Sequence, residues 1–150
     1  MSLRKYIDEQ LNRLGIEVNS ETLEQLCDYI NELVKWGRVY NLSGSDSTEK
    51  LVDRLVLDSA LVLFHIDFIC KISRLNEPSI IDIGSGNGSP GIVWAICKKN
   101  ISLKLVEKSR KKFAFLRSLI GTLELSRRVK VHNQRIEESF PFTGLNIITC

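Results

Sequence analysis

The chain has 150 residues, of which 43% are hydrophobic and 26% charged, with nine glycines and three prolines, a composition that excludes fibrous, repeat and disordered classes. Its most apolar stretch, residues 55–70, is interrupted by Asp58, His65 and Asp67, so it cannot supply the roughly 20 uncharged residues of a membrane span. Residues 1–75 carry 9 basic and 12 acidic side chains and residues 76–150 carry 12 and 6, so the second half is the one expected to meet anions.

The first half of the chain has helical spacing. Apolar residues recur at helical intervals over positions 3–14 and stop at Gly15, which predicts a short amphipathic helix ended by a glycine. Ser20 is predicted to cap a second helix that runs to about Trp36. A third helical pattern begins near Thr48. The first ten residues enter this charged amphipathic pattern and not an apolar signal region, so the cytoplasm is the expected compartment.

From residue 76 the pattern changes to short apolar runs. Four strands are predicted, at 79–83, 102–107, 129–132 and 145–149, and helix-length patterns at 90–99 and 109–119 separate the first three. This alternation predicts βαβ units in a parallel sheet, and thus an α/β fold. We expect one compact domain, with an N-terminal helical cap region at 1–75 and a partial α/β core at 76–150.

The last predicted strand reaches the end of the chain without a helix after it. An open parallel sheet of this kind usually has more strands, so we expect the sheet to be incomplete at the C-terminus and the chain to be a truncated form of a longer protein. Such an edge is expected to lower stability or to pair with a second copy.

The cysteines give no sign of a metal or disulfide framework. Cys27, Cys70, Cys97 and Cys150 lie far apart with no CxxC pair, and the two histidines do not complete a ligand cluster near them. Reduced structural thiols are therefore predicted, and no metal site.

The most informative segment is IIDIGSGNGSPG, at positions 80–91. Gly84, Gly86 and Gly88 follow a predicted buried strand and allow the backbone to turn sharply and approach a ligand. Asp82 precedes the loop, where its carboxylate is expected to order the turn or to receive a ligand amine through water. The alternative is a tight turn in which the glycines only satisfy backbone geometry.

Glu107 strengthens the ligand interpretation. It ends the second predicted strand, where an acidic side chain in such sheets accepts hydrogen bonds from ribose hydroxyls, although it could instead cap the next helix. A dinucleotide fingerprint would need its third glycine at the position of Ser89, whereas the third glycine here is Gly88. The pattern D-x-G-x-G-x-G resembles the first motif of class I methyltransferases, which bind S-adenosylmethionine, and this favours a methyltransferase over a dehydrogenase.

Five segments extend the resemblance to a particular family. VKWGRVYNLSG, RLVLDSA, DIGSGNGSPGI, LVEKSRKKFAFLR and QRIEE follow one another as in the glucose-inhibited division protein B family, to which the sequence is similar over nearly its whole length. Its most specific match is the S-P-G at 89–91, where the family usually reads L-P-G. This resemblance implies a class I methyltransferase fold, S-adenosylmethionine as cofactor, and methylation of guanine N7 in 16S ribosomal RNA of the bacterial small subunit.

The resemblance also implies roles for single residues. Gly84 and Ser89 would contact the cofactor, Glu107 would hold its ribose, and Ile136 with Glu137 would border its adenine. The residues expected near the RNA are Asn41, Arg54 and Asp58, together with the basic run that contains Lys108, Arg110 and Lys111. Plainer interpretations are a turn residue for Asn41, an exposed carboxylate for Asp58 and a solvated helix face for the basic run.

Three departures from the family pattern bear on activity. The family histidine before I-L-D-S is Leu55 here, the usual leucine after the glycine loop is Ser89, and an arginine expected just after the last strand would fall at position 151, beyond the end. No catalytic residue is assigned, because guanine N7 has a lone pair and no proton to remove. The alternatives are an inactive fragment or degenerate paralogue that binds cofactor or ribosome, and a small-molecule methyltransferase.

Overall fold

The computed structural model describes residues 1–40, 47–135 and 144–150, and in them helices precede an alternation of strands and helices. The elements in chain order are α1 (Leu3–Arg13), α2 (Ser20–Tyr40), α3 (Thr48–Leu51), a π-helical segment (Val52–Leu57), α4 (Asp58–Ile72), β1 (Ser79–Ile83), α5 (Gly91–Cys97), β2 (Ser102–Val106), α6 (Arg110–Thr122), β3 (Val129–His132) and β4 (Ile147–Thr149). The predicted α/β fold is confirmed.

A glycine follows the end of α1, and a polar side chain caps the start of α2. After α1 the chain turns through Gly15 at φ +72°, a left-handed conformation that glycine adopts without strain. The prediction that Ser20 caps α2 is wrong, because the side-chain oxygen of Asn19 accepts the Thr22 N–H at 2.8 Å and Ser20 is already helical. A carboxamide one residue earlier satisfies the same unpaired donor of the first helical turn.

Helix α2 also continues past its predicted end near Trp36, to Tyr40. The Trp36 and Phe115 rings form a T-shaped pair with 5.6 Å between their centroids. This contact with α6 holds α2 in place just before its last four residues. The third helical pattern is interrupted where a π-helical segment joins α3 to α4, an irregularity that hydrophobic spacing does not reveal.

The four strands form one parallel sheet in the order β3-β2-β1-β4. Along the register, Ile80 of β1 lies between Leu103 of β2 and Ile147 of β4, and Leu103 also pairs with Val129 of β3. Because all strands point the same way, their carboxyl ends meet at one edge of the sheet. The loop after β1 and the end of β2 are therefore neighbours.

The N-terminal helices pack against the helices of the sheet. The Gln25 side chain of α2 donates to the Leu123 carbonyl at the end of α6 over 2.8 Å, and Lys99 lies 2.6 Å from Glu21. Helix α4 buries Leu63 and Ile66 but leaves apolar side chains exposed, Phe68 and Ile72 each at 64%. Within the described residues, no helix combines the length and apolarity needed to cross a bilayer.

Candidate functional site

A glycine loop joins β1 to α5 at the carboxyl edge of the sheet. Gly84, Gly86 and Gly88 have φ angles of +76°, +54° and +94°. The Gly84 N–H donates to the Val106 carbonyl at 2.8 Å, so the loop begins as an extension of the β1–β2 ladder. No heavy atom lies within 4 Å of the place that a Cβ on Gly84 would occupy, which leaves the backbone open to a ligand.

Two further glycine positions are fixed by packing. A Cβ on Gly88 would lie 2.9 Å from Ile92 Cγ1, and one on Gly91 would lie 2.9 Å from Asp82 Oδ2 and 3.1 Å from a Leu105 methyl. Real Cβ atoms do not approach other atoms so closely. The first turn of α5 therefore lies against the sheet at a distance that only glycine allows.

Glu107 connects the loop to the end of β2. Its Oε2 accepts the Gly86 N–H at 2.9 Å and its Oε1 accepts the Ser109 N–H at 2.7 Å, while the side chain is 5% exposed. The carboxylate therefore holds the glycine loop and also accepts the N–H of Ser109, the N-cap residue of α6, while its contact with a ribose stays a prediction. Each oxygen has a second lone pair, so two acceptor positions remain for ligand hydroxyls.

Asp82 lies beneath the loop and is 2% exposed. Within the described residues its Oδ2 has no hydrogen-bond partner. Burial raises the pKa of this carboxyl to about 7, and the nearby Gly91 N–H and Ser85 hydroxyl offset only part of the rise. An unpartnered buried oxygen marks a place where a ligand or water group can donate.

A cleft of about 350 Å³ opens beside Glu107. This volume lies in the range of small-molecule sites, and the cleft combines an apolar wall with a carboxylate and open backbone. Its lining also includes cationic side chains from the β2–α6 connection, from α6 and from the segment after β3. The lining residues are Ile83, Gly84, Val106, Glu107, Lys108, Lys112, Gln134 and Arg135.

The N-terminal helices support the glycine loop through Tyr29, which is fully buried. The Tyr29 hydroxyl donates to the Asn87 carbonyl at 3.2 Å. Burial, with the charge of Asp82, raises the pKa of Tyr29, so the hydroxyl remains a donor. Sequence reasoning missed this residue, because a tyrosine inside the apolar stripe of α2 looks like an ordinary core residue.

Ser89 contacts the π-helical segment and does not line the cleft. Its hydroxyl lies 2.9 Å from the Ser59 hydroxyl and 3.3 Å from the Leu55 carbonyl oxygen. Its N–H donates to the Asn87 side chain at 3.1 Å. Whether Ser89 also touches a cofactor remains a prediction.

The residues predicted near RNA fall in two places. Arg54 and Asp58 are exposed and line an open cleft of about 350 Å³ with Lys50 and Asp53. The basic residues of the α6 N-terminus are close to the first cleft, since Lys108 lines it and Arg110 and Lys111 are exposed on the adjoining turn. Asn41, Ile136 and Glu137 lie outside the described residues. Among the residues that the structure covers, no group of three histidine, cysteine or acidic side chains could hold a metal.

Comparison with known proteins identifies a family and several of its members. Residues 22–150 match the profile of the family described as rRNA small subunit methyltransferase G. A Ribosomal RNA small subunit methyltransferase G from Halorhodospira halophila is 36% identical over 134 residues, 89% of this chain and 59% of the relative. One from Methylobacillus flagellatus is 30% identical over 139 residues, 93% of this chain and 63% of the relative. The chain thus spans about six tenths of the length of these relatives.

Solved structures support the fold. A protein assigned as a protein-L-isoaspartate O-methyltransferase from Plasmodium falciparum, in complex with S-adenosyl-L-homocysteine, superposes with a TM-score of 0.55 at 18% identity, covering 94% of this chain and 67% of that one. A protein assigned as an O-methyltransferase from Klebsiella pneumoniae gives 0.51 at 14% identity, covering 95% and 57%. The chain therefore has the Rossmann-like fold of class I methyltransferases.

Proposed function

The chain belongs to the family described as rRNA small subunit methyltransferase G, and on that premise we propose that it binds S-adenosylmethionine in the cleft beside Glu107. One observation carries the proposal. The Glu107 carboxylate is held by the Gly86 N–H at 2.9 Å, on the wall of a cleft whose floor includes the open backbone of Gly84. A fixed carboxylate beside exposed glycine backbone matches the hydrogen-bonding needs of a ribose and its neighbouring groups.

We assign the residues of the cleft distinct roles in binding. Glu107 would accept hydrogen bonds from the ribose hydroxyls, and the backbone of Gly84 to Gly88 would pass close to the rest of the cofactor. Asp82 would support the loop from below, with its unpartnered oxygen available to a donor. Ile136 and Glu137 are proposed to border the adenine. In the sequence they directly follow Arg135, which lines the cleft.

The proposed reaction is methylation of guanine N7 in 16S ribosomal RNA. The cofactor supplies an activated methyl group when bound. Because N7 carries a lone pair and no proton, the chain needs no general base, and its contribution is to align the base and exclude competing geometries. The Glu107 carboxylate and the open backbone of Gly84 would serve this alignment by holding the cofactor.

Charge supports an RNA substrate at the same edge of the sheet. Lys108, Lys112 and Arg135 line the cleft, although S-adenosylmethionine has no phosphate for them to bind. Arg110 and Lys111 continue the basic surface on α6. We propose that these side chains contact the RNA backbone, with Asn41, Arg54 and Asp58 on the substrate side, and that the small ribosomal subunit or its RNA is the partner.

We further propose that residues 1–75 and 76–150 act as one compact domain in the cytoplasm. The hydrogen bonds from Gln25 to Leu123 and from Tyr29 to Asn87 support the first part, because both cross the boundary. Limited proteolysis tests it: a stable fragment that begins near residue 76 would contradict a single cooperative unit.

A titration followed by a transfer assay tests the function. Calorimetry with S-adenosylmethionine measures binding, and transfer of a labelled methyl group is then followed on deproteinised 16S RNA and on assembled small subunits. Guanine N7 methylation of either substrate supports the proposal. Binding without transfer to either RNA would leave a cofactor-binding protein or an enzyme for small molecules, and absence of binding would refute the cofactor site.

A further inference from the structure

Two hydroxyl groups, one buried and one half-buried, connect the glycine loop to the π-helical segment. The Ser59 hydroxyl donates to the Leu55 carbonyl at 2.5 Å, and the Ser89 hydroxyl lies 2.9 Å from it. Each serine has one proton to donate, so a consistent arrangement runs from Ser89 to Ser59 and on to Leu55. We call Ser59 and Ser89 the serine link.

The serine link is anchored on a third side. The indole N–H of Trp94 on α5 donates to the Ser59 carbonyl at 2.8 Å, and Trp94 and Ser59 are each 3% exposed. The main chain of Ser59 is thus fixed to α5, while its side chain joins the Leu55 carbonyl of the π-helical segment to Ser89 after the glycine loop. The buried Ser59 groups are thereby held in place, since movement away from Leu55 and Trp94 would leave a buried donor or acceptor unpaired.

A charged residue precedes each of the two hydrogen-bonded residues Leu55 and Ser59 in the sequence. Arg54 directly precedes Leu55, and Asp58 directly precedes Ser59. With Lys50 and Asp53 these two side chains line the second cleft, and we call the four residues the charged rim. The positions of the Arg54 and Asp58 side chains therefore depend on the backbone at residues 54–59, which the serine link contacts.

We propose that Ser89 is a positioning residue, which transmits cofactor occupancy of the glycine loop to the charged rim through Ser59 and Leu55. This inference rests on the proposed function, because the cofactor is the ligand that would order the loop. Ser89 directly follows Gly88, so a change in the loop reaches its hydroxyl without an intervening residue. Two sites that share one such element affect each other's affinity to the same extent.

The Ser89 hydroxyl also lies 3.3 Å from the Leu55 carbonyl oxygen, so it reaches the π-helical segment directly as well as through Ser59. A leucine at position 89 could form no such bond.

Loss of the Ser89 hydroxyl leaves the fold intact. In Ser89→Ala the Ser59 hydroxyl still donates to Leu55, so no buried donor becomes unpaired. The expected effect is loss of the transmitted signal at the charged rim, and calorimetry with S-adenosylhomocysteine sets the ligand concentration at which the variant is saturated. Ser89→Thr keeps a hydroxyl and should restore the signal, and Ser118→Ala, at an exposed position of α6, is the matched control.

Hydrogen exchange measures the signal. In the wild type, S-adenosylhomocysteine should slow amide exchange both in residues 84–88 and, severalfold, in residues 52–60. In Ser89→Ala the slowing should persist at 84–88 and disappear at 52–60, and Ser89→Thr and Ser118→Ala should behave as the wild type. Equal slowing at 52–60 in Ser89→Ala and wild type would overturn the inference.

A ligand-free comparison separates this inference from the proposed function. Without ligand, residues 52–60 should exchange faster in Ser89→Ala than in the wild type, because the serine link is broken. A wild type that binds no S-adenosylhomocysteine would refute the cofactor site, and the ligand-free rates would still decide the link. Identical ligand-free rates in the two proteins would show that Ser89 does not hold the π-helical segment.

Discussion

Glu107 at the end of β2 accepts the N–H of Gly86 in the loop after β1, with 2.9 Å between Oε2 and the nitrogen. This bond joins the glycine loop to the end of β2, and both segments contribute residues to the lining of the cleft. Glu107→Ala removes both the clamp and the proposed ribose acceptor. We expect cofactor affinity to fall about ten- to a hundredfold, roughly 1.5–3 kcal/mol. Calorimetry with S-adenosylhomocysteine measures this, and Glu17→Ala, at an exposed position, should leave affinity unchanged.

The basic residues at the start of α6 are expected to contact RNA phosphates. Reversal of Lys108, Arg110 and Lys111 to glutamate should weaken RNA binding and reduce the salt slope by about 0.7–0.9 for each lost phosphate contact. Cofactor affinity should persist. Binding of 16S RNA fragments over a range of salt concentrations measures the slope.

A matched charge reversal controls for net charge. Lys5, Lys71 and Arg74 are exposed in the first half of the chain, and their reversal to glutamate changes total charge by the same amount. This variant should keep most of the wild-type salt slope. Equal slopes for the two triple variants would mean that the α6 residues form only a solvated face.

The close approach of α5 to the sheet predicts unequal effects of alanine at three glycines. Gly88→Ala and Gly91→Ala should each lower the free energy of unfolding by about 1–3 kcal/mol, because the new methyl group would lie 2.9 Å from Ile92 or from Asp82. Gly121 in α6 has open space around it, so Gly121→Ala should be neutral or stabilising. Urea unfolding of the three variants compares them, and a Gly88→Ala protein as stable as wild type would be inconsistent with this packing.

Asp82 makes stability depend on pH. Its folded-state pKa of about 7 exceeds the ordinary 3.8, so the unfolded chain releases this proton first as pH rises. The stability contribution of Asp82 is therefore complete below pH 3.8, falls as pH rises and is lost through about pH 7. The free energy of unfolding falls by about 4 kcal/mol over this interval, at about 1.4 kcal/mol per pKa unit.

The variant Asp82→Asn tests this pH dependence, because it cannot ionise. It should lose less stability than the wild type in urea unfolding as the pH rises from about 5 to about 8, an interval that spans the folded-state pKa of about 7. Glu17→Gln, at an exposed carboxyl, should follow the wild type. A wild-type stability that rises over this interval, with Asp82→Asn unchanged, would contradict a buried protonated Asp82.

Local sequence patterns predicted the strands well, for identifiable reasons. β1 has three isoleucines among its five residues and lies between Pro78 and Gly84, so proline and glycine set both of its ends. β4 is shorter than predicted and begins at Ile147. Before it, Asn146 bonds Ser79 through both its N–H and its side-chain oxygen at 2.8 Å, and this polar contact precedes the ladder.

The candidate site was predictable only where one segment carries the signal. The glycine loop and Glu107 follow from a strand, a turn and the next strand, and the structure brings them into hydrogen-bond contact. The π-helical segment, Tyr29 and the Ser59–Ser89 contact depend on residues far apart in the chain. No periodicity records such contacts, because they exist only once α2 and α4 have packed on the sheet.

The outer edge of β4 predicts self-association. Ile148 is 66% exposed there, and within the described residues β4 pairs only with β1. We expect concentration-dependent dimers or larger species in light scattering, reduced by Ile148→Lys because a charge disfavours edge pairing. Ile72→Lys, at an equally exposed site on α4, is the comparison. A greater reduction by Ile72→Lys would place the contact on the helix, and a strictly monomeric wild type would refute association.

The parallel pairing of β4 with β1 has a consequence for folding. Ile147 pairs with Ile80 across nearly half of the chain, whereas β1 meets β2, and β2 meets β3, over much shorter separations. Contacts between distant residues slow folding more than they reduce stability, because loop closure precedes any gain from the contact. During synthesis, β1 to β3 emerge before β4, since they precede it in the chain. Until β4 pairs with it, β1 is an edge strand like β3, and its isoleucines are exposed to aggregation at that edge.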